Sequence, residues 1–416
     1  MKKKLLCIVL CLVLVAAAVC ALVACDDDAI VVWVGEGTKE FTEQKLKEWN
    51  ENNQFGVTYK FKVEVVSESK AAGDAISKPQ SAADIFCFAQ DQLARLVQAR
   101  ALAPIVGTLQ SEITALHDAG SVEAATIGSS IRAFPLTSDN GYFMYYDTRV
   151  VQQSSIGSLE KIIEDVKNYS QKRNISMNLT KDGGAWYAAS FFYATDKDGA
   201  SLCKSEWTVD DNGKFTDYSD TFNTSNGIIA LKGMQKLLQS GCHFDSAEIA
   251  DLTAGTPSAV VVSGIWSYKA AEKALGSNLG VAPLPAFEVD GETYQMRSYL
   301  GSKLMGVKQQ EDPYQARYLQ DVAMYLTSEA VQKDRFELVG WGPSVAALQD
   351  SAAVKESVAL NALKTPGRTI LQGQYPTNWW AKVVTMTGSA KTAETAAALQ
   401  VALDTYSSGL NSLKSN

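Results

Sequence analysis

The sequence predicts an α/β protein of two lobes, each a mainly parallel sheet flanked by helices, with the chain passing between the lobes three times. Three observations carry this expectation. Residues 29–34 and 61–66 are apolar, strand-like runs separated by a helical stretch, the pattern of a parallel pair joined by a crossover. Residues 134–147, FPLTSDNGYFMYYD, run from Pro135 through a polar cluster into a stretch rich in aromatic residues, so the chain turns and enters a new buried strand. Two later breaks, PLPAF at 283–287 and WGP at 341–343, interrupt the pattern where a strand or helix would otherwise continue. The first lobe is expected to hold 29–138 plus 288–340 and the second 141–282 plus 344–416, with crossings near 139–141, 283–287 and 341–343.

The start of the chain reads as a targeting segment. Lys2, Lys3 and Lys4 precede an uncharged apolar run over 5–24, which suits a secretory signal at 1–24. A membrane-spanning anchor is the alternative, because the run is nearly long enough to span. The ending Leu22-Val23-Ala24-Cys25 resembles a bacterial lipobox, which implies cleavage before Cys25 and lipid on its thiol. Residues 25–28 then form a short acidic spacer.

The remaining elements follow in order. The run at 29–34 is bounded by Gly35 and Gly37; Thr38 is placed to cap the next helix, whose apolar side is Phe41, Leu46 and Trp49. A third strand at 84–88 leads through Ala89, Gln90 and Asp91 into a helix carrying Leu93, Leu96 and Val97. Ligands of open α/β sheets bind outside the carboxyl ends of strands, which places Glu36, Lys39, Phe88, Gln90 and Asp91 on one rim; Asp91 has a helix cap as its alternative role. Helices are expected at 159–169, 228–238 and 314–329, and a hairpin at 207–215 around Asp211-Asn212-Gly213. The hairpin lacks the spaced carboxylates of a calcium loop. The run at 258–263 is a buried strand that sets Trp266 at its carboxyl end, the rim position Asp91 takes in the first lobe. Residues 299–307 read as one strand, and Trp379-Trp380 stand before a helical tail at 392–413.

Composition narrows the function. The chain has 416 residues, 46% hydrophobic and 20% charged, enough for about two sizeable cores. Its formal net charge of −8 argues against nucleic acid as a partner, because phosphate binding needs a basic surface. Cys87, Cys203 and Cys242 lie beyond the targeting segment, in no zinc-ligand spacing, and read as small buried residues, with a Cys203–Cys242 bridge as the alternative. His117 and His243 have no metal-ligand companions in sequence, so neither metal nor cofactor is expected. No nucleophile elbow or phosphate loop is present.

The stretches AIVVWVGEGTKEF, ADIFCFAQDQLARL, FPLTSDNGYFMYYD, SAVVVSGIWSY and GVAPLPAF, in this order and spacing, resemble the family 1 extracellular solute-binding lipoproteins, the group that includes maltose-binding protein. The resemblance covers nearly all of 29–413. It implies the two-lobed periplasmic-binding-protein-like fold with three hinge crossings, no catalysis, and delivery of an oligosaccharide, or less often another solute, to the permease of an ABC importer. It further implies a monomer tethered by lipid to the extracytoplasmic face of the bacterial membrane. Its site residues fall on Phe88 and Asp91, on Asp139 or Asn140 at the first crossing, on Tyr187, on Trp266, and on Trp379 or Trp380. The acid that precedes the tyrosine in maltose binders is replaced here by Ala185-Trp186, and an arginine by Gln92, so maltose itself is not implied.

The residue types fit a sugar. Flat rings cover the apolar faces of a pyranose, and carboxylates or amides meet its hydroxyl rim. Trp266, Trp341, Trp379 and Trp380 lie beside Gly, Pro or strand ends, where rings reach a cleft, whereas Trp33 and Trp49 read as core. Two other readings are a clamp for a peptide or another polar solute, and a surface glycosidase, which would need Asp91 and Asp139 as its acid pair.

Overall fold

The computed structural model describes residues 29–415; the expected signal at 1–24, the spacer and Cys25 lie outside these residues. The strand Ile30–Val34 pairs in parallel with Phe61–Val65 on one side and Ile85–Ala89 on the other. Lys303–Val307 adds antiparallel to Ile85–Ala89, and Phe134–Pro135 adds antiparallel beyond it. This sheet and the helices around it bury the first core, with Val32, Phe86, Phe88 and Leu304 at its centre. Thr38 stands at the expected cap position, but its hydroxyl donates to the Gly35 carbonyl at 2.8 Å instead of accepting from the helix.

The second sheet is built on Asn140–Asp147, every residue of which is buried. Ser258–Gly264 pairs with it antiparallel on one side; Ser298–Gly301 and Leu279–Ala282 pair with it on the other. Asn174–Ser176, His243–Phe244 and Thr369–Leu371 extend the sheet in parallel. Each sheet is thus mainly parallel with one reversed strand: Lys303–Val307 runs against the other four in the first sheet, and Asn140–Asp147 against the other six in the second.

The first crossing falls where it was expected, between Phe134–Pro135 in one sheet and Asn140–Asp147 in the other. The second does not. Residues 283–287 stay in the second lobe, where Phe287 is core and Ala286–Val289 forms a hairpin with Glu292–Gln295. The change of lobe comes at Ser302, between Ser298–Gly301 and Lys303–Val307, so 288–301 belongs to the second lobe and 299–307 is two strands. Prolines bar a ladder but do not mark a change of lobe, whereas one extended run is long enough to join a sheet at each end. Gly301 makes the passage narrow: a Cβ there would lie 2.9 Å from both Gln90 Oε1 and Gln372 Oε1, groups of opposite lobes. The third crossing also lies later than expected, since Val345 still bridges to His117 of the first lobe.

The expected hairpin forms from Ser205–Val209 and Phe215–Asp220. It reaches across the molecule: Phe215 is buried in the first lobe's core, and Arg132 Nη2 donates to the Asp211 carbonyl at 3.2 Å. Cys87, Cys203 and Cys242 are buried free thiols. Among the described residues, no helix is long and apolar enough to cross a membrane.

Candidate ligand cleft

The carboxyl ends of the two sheets meet along a seam, and the first lobe's rim is hydrogen-bonded to the lead-in of the helix Trp379–Thr392. Gln374 Nε2 donates to the Gln90 carbonyl at 2.8 Å, the Ala94 amide donates to Gln374 Oε1 at 2.9 Å, and the Tyr375 amide donates to the Asp91 carbonyl at 3.3 Å. Trp380 Nε1 donates to Asp91 Oδ2 at 3.1 Å. Asp91 is 5% exposed. Burial pushes its carboxyl up to about 7, against the opposing pull of the Trp380 hydrogen bond and the Arg95 charge.

A row of rings continues the seam. Trp186 and Trp266 stack with centroids 6.0 Å apart and planes 28° apart, Trp186 and Tyr299 lie 6.4 Å apart at 14°, and Tyr299 meets Trp380 edge-on at 6.2 Å. Tyr187 sits one ring behind, 5.2 Å from Trp186. Lys303 of the first lobe ends this row. Its Nζ lies 3.6 Å from the Trp341 ring centroid and 4.8 Å from that of Trp266, and pairs with Glu68 Oε1 at 2.9 Å.

The structure thus gathers Asp91, Trp266, Trp341 and Trp380 on one seam, with Tyr187 in support. Asn140 stands at its floor and donates to Gln372 Oε1 at 3.4 Å. Other expected residues do not join. Phe88 is inside the first core, because successive side chains of a strand buried on both faces all find packing. Asp139 is fully buried and accepts from the Gly342 amide, so it ties the first crossing to the Trp341–Pro343 stretch. Trp379 is fully buried in the second core, stacked on Tyr375 at 4.1 Å, with its Nε1 donating to the Tyr406 hydroxyl at 3.0 Å. Adjacent residues on a helix lie about 100° apart, so only one of the two tryptophans reaches the seam. Glu36 is exposed, and Lys39 reaches Glu43 at 3.8 Å on the outer rim. Asp91 and Asp139 face different surroundings and do not form an acid pair.

Trp186, Tyr299, Glu68 and Lys303 complete the seam without having been expected there. Lys303 carried a signal, as a lone charge inside the apolar run LGSKLMGV; Glu68, at the start of a helix beyond the second strand, carried none. Among the described residues, no three His, Cys, Asp or Glu come together as a metal site would require.

A family model described as bacterial extracellular solute-binding protein matches residues 39–362. The chain belongs to that family. No curated protein matches this solute-binding protein closely enough in sequence to count as a relative. Solved structures match its fold. The unliganded maltodextrin-binding protein MalE1 from L. casei BL23 is 19% identical, with a TM-score of 0.70 over 91% of this chain and 97% of that one. The GacH receptor of Streptomyces glaucescens, solved unliganded and with acarbose, is 17% identical with a TM-score of 0.72, over 93% and 98%. The maltose/maltodextrin-binding domain MalE of Bdellovibrio bacteriovorus, bound to maltotriose, is 16% identical with a TM-score of 0.71, over 92% and 100%. At these identities the likeness shows the two-lobed fold. The family is extracellular, and both the family and these neighbours are binding proteins rather than enzymes.

Proposed function

We propose that this solute-binding protein captures an oligosaccharide between its lobes and delivers it to the permease of an ABC importer, held as a monomer to the outer face of the membrane by lipid on Cys25. The observation that carries the reading is the row of partly exposed rings Trp186, Trp266 and Trp380, backed by the buried Tyr299, beside Asp91, Asn140 and the seam amides. Rings in this number offer apolar faces to pyranoses, and the amides and carboxyl offer partners for hydroxyls. The neighbours described as a maltodextrin-binding protein and as a maltose/maltodextrin-binding domain bound to maltotriose support the same class of ligand.

The mechanism follows from contact with both lobes. A ligand that touches both only in the closed form shifts the population toward that form. Reversing a 1:99 preference takes about 5.5 kcal/mol, and a micromolar ligand supplies about 8 kcal/mol. A glycosidase reading would need paired carboxyls, and Asp139 is turned away to Gly342.

The test is a thermal-shift panel of oligosaccharides and short peptides. A true ligand at 100 times its Kd adds about 2.7 kcal/mol of stability. Stabilisation by oligosaccharides alone supports the reading. Stabilisation by peptides alone, or release of shorter sugars on incubation, would overturn it.

A further inference from the structure

We propose that Lys303 is a positioning residue of the cleft, a fixed cationic post on the first lobe that holds the second lobe's Trp266 ring in the seam when the lobes meet; that this ring then serves a sugar rests on the carbohydrate reading above. Lys303 opens the strand Lys303–Val307 directly after the passage at Ser302. Its backbone is tied to the first crossing: the amide donates to Thr137 Oγ1 at 3.3 Å, and the carbonyl accepts from the Leu136 and Thr137 amides at 2.9 and 3.2 Å. The ammonium is pinned as well, paired with Glu68 Oε1 at 2.9 Å and lying 3.6 Å from the Trp341 ring centroid. Trp341 is part of the first core, and Glu68 opens the helix Glu68–Ser77 that packs into it. Both ends of the side chain are therefore fixed to one lobe.

Trp266 comes from the other lobe, just past the strand Ser258–Gly264, yet its half-buried ring packs against the first core. The torsion that turns an indole about its own stem is soft, so what lies against the ring sets its orientation. Three groups do so here. The ring folds back over Gly264, where a Cβ would run into it. Trp186 stacks on it with centroids 6.0 Å apart. Lys303 Nζ lies 4.8 Å from its centroid. The first two belong to the same lobe as the ring and travel with it. Lys303 does not, so parting the lobes removes the cation from the ring and closing them restores it. A contact made only in the closed form favours that form. A cation over a ring is worth most where both are out of water, and Lys303 is 4% exposed. One side chain thus couples closure of the clamp to the setting of a ring in the cleft.

The experiment compares the full chain with three variants. Glu68→Gln combined with Lys303→Met removes the ion pair as a unit and leaves no lone buried charge. Gly264→Ala keeps the pair and displaces the ring from its other support. Lys303→Arg keeps a cation that stacks on an indole. The scattering radius and the acrylamide quenching of tryptophan emission are measured without ligand, with Trp266→Phe giving the share of emission due to that ring. Affinity and release rate for maltotriose follow. The double variant and Gly264→Ala should each enlarge the radius, expose Trp266 to quencher and weaken maltotriose by about tenfold or more, mainly through faster release. Their combination should add little, because both break one contact. Lys303→Arg should keep most of the native behaviour. Should the double variant fail to fold, Gly264→Ala and Lys303→Arg still decide the matter. An unchanged radius and unchanged quenching overturn the positioning role, whatever maltotriose does. A loosened ring in the variants, with no oligosaccharide bound by the native chain, upholds the post and overturns the carbohydrate reading.

Discussion

Asp91→Asn isolates the energetic consequence of closing the seam over a carboxyl. In the folded protein this group titrates at about 7, raised from 3.8 chiefly by burial. The folded state therefore binds the proton more tightly than the unfolded state. Stability from this group is fully present below the unfolded value, falls as pH rises from there, and levels off above the folded value. About three units at 1.36 kcal/mol each make a total cost near 4 kcal/mol. More than half of it, on the order of 2–3 kcal/mol, accrues between pH 5 and 8. Asparagine keeps an oxygen to accept from Trp380 Nε1, found at 3.1 Å in the native chain, and it does not ionise. The stability gap between variant and native chain should thus grow in the variant's favour by on the order of 2–3 kcal/mol across that range. Urea unfolding followed by tryptophan fluorescence at four pH values measures it. A gap that stays constant with pH would show that Asp91 is not desolvated by the seam, and the reasoning would fail.

Three further outcomes are expected. Gly35→Val places a Cβ 2.2 Å from Glu68 Oε1 and 2.9 Å from the Trp341 ring, so it should push Glu68 off Lys303 and lower stability by about 1–3 kcal/mol, read in thermal melts. Trp379→Ala, emptying a fully buried site, should cost about 3–5 kcal/mol of stability, whereas Trp380→Ala should cost less stability and more ligand affinity; calorimetric titration beside denaturation separates the two. Phe215→Ala removes the ring that anchors the second lobe's hairpin in the first core, so stability should drop by about 3 kcal/mol and the scattering radius of the unliganded chain should grow.

Much of this molecule was legible from residue order alone. The first three strands, the strand 140–147 and the rim positions of Asp91 and Trp266 all follow from local pattern, because apolar period and turn chemistry act over a few residues. Pattern could not say which lobe a given strand would join. PLPAF looked like a passage and is a turn within the second lobe; LGSKLMGV looked like one strand and is the passage itself. Strand pairing is decided by partners hundreds of residues away, and nothing in a short window encodes them.

The same division runs through the cleft. By itself the sequence determined the kinds of residue available and the ends of strands where they would gather. It could not choose between Trp379 and Trp380, since both are equally aromatic; helix phase buried the first and turned the second onto Asp91. Nor could it bring Glu68, Lys303, Trp341 and Trp266 together, because that cage exists only where two lobes touch. Chemistry is local to the chain, but the field each group feels depends on what is packed against it, and the tertiary structure alone supplies that.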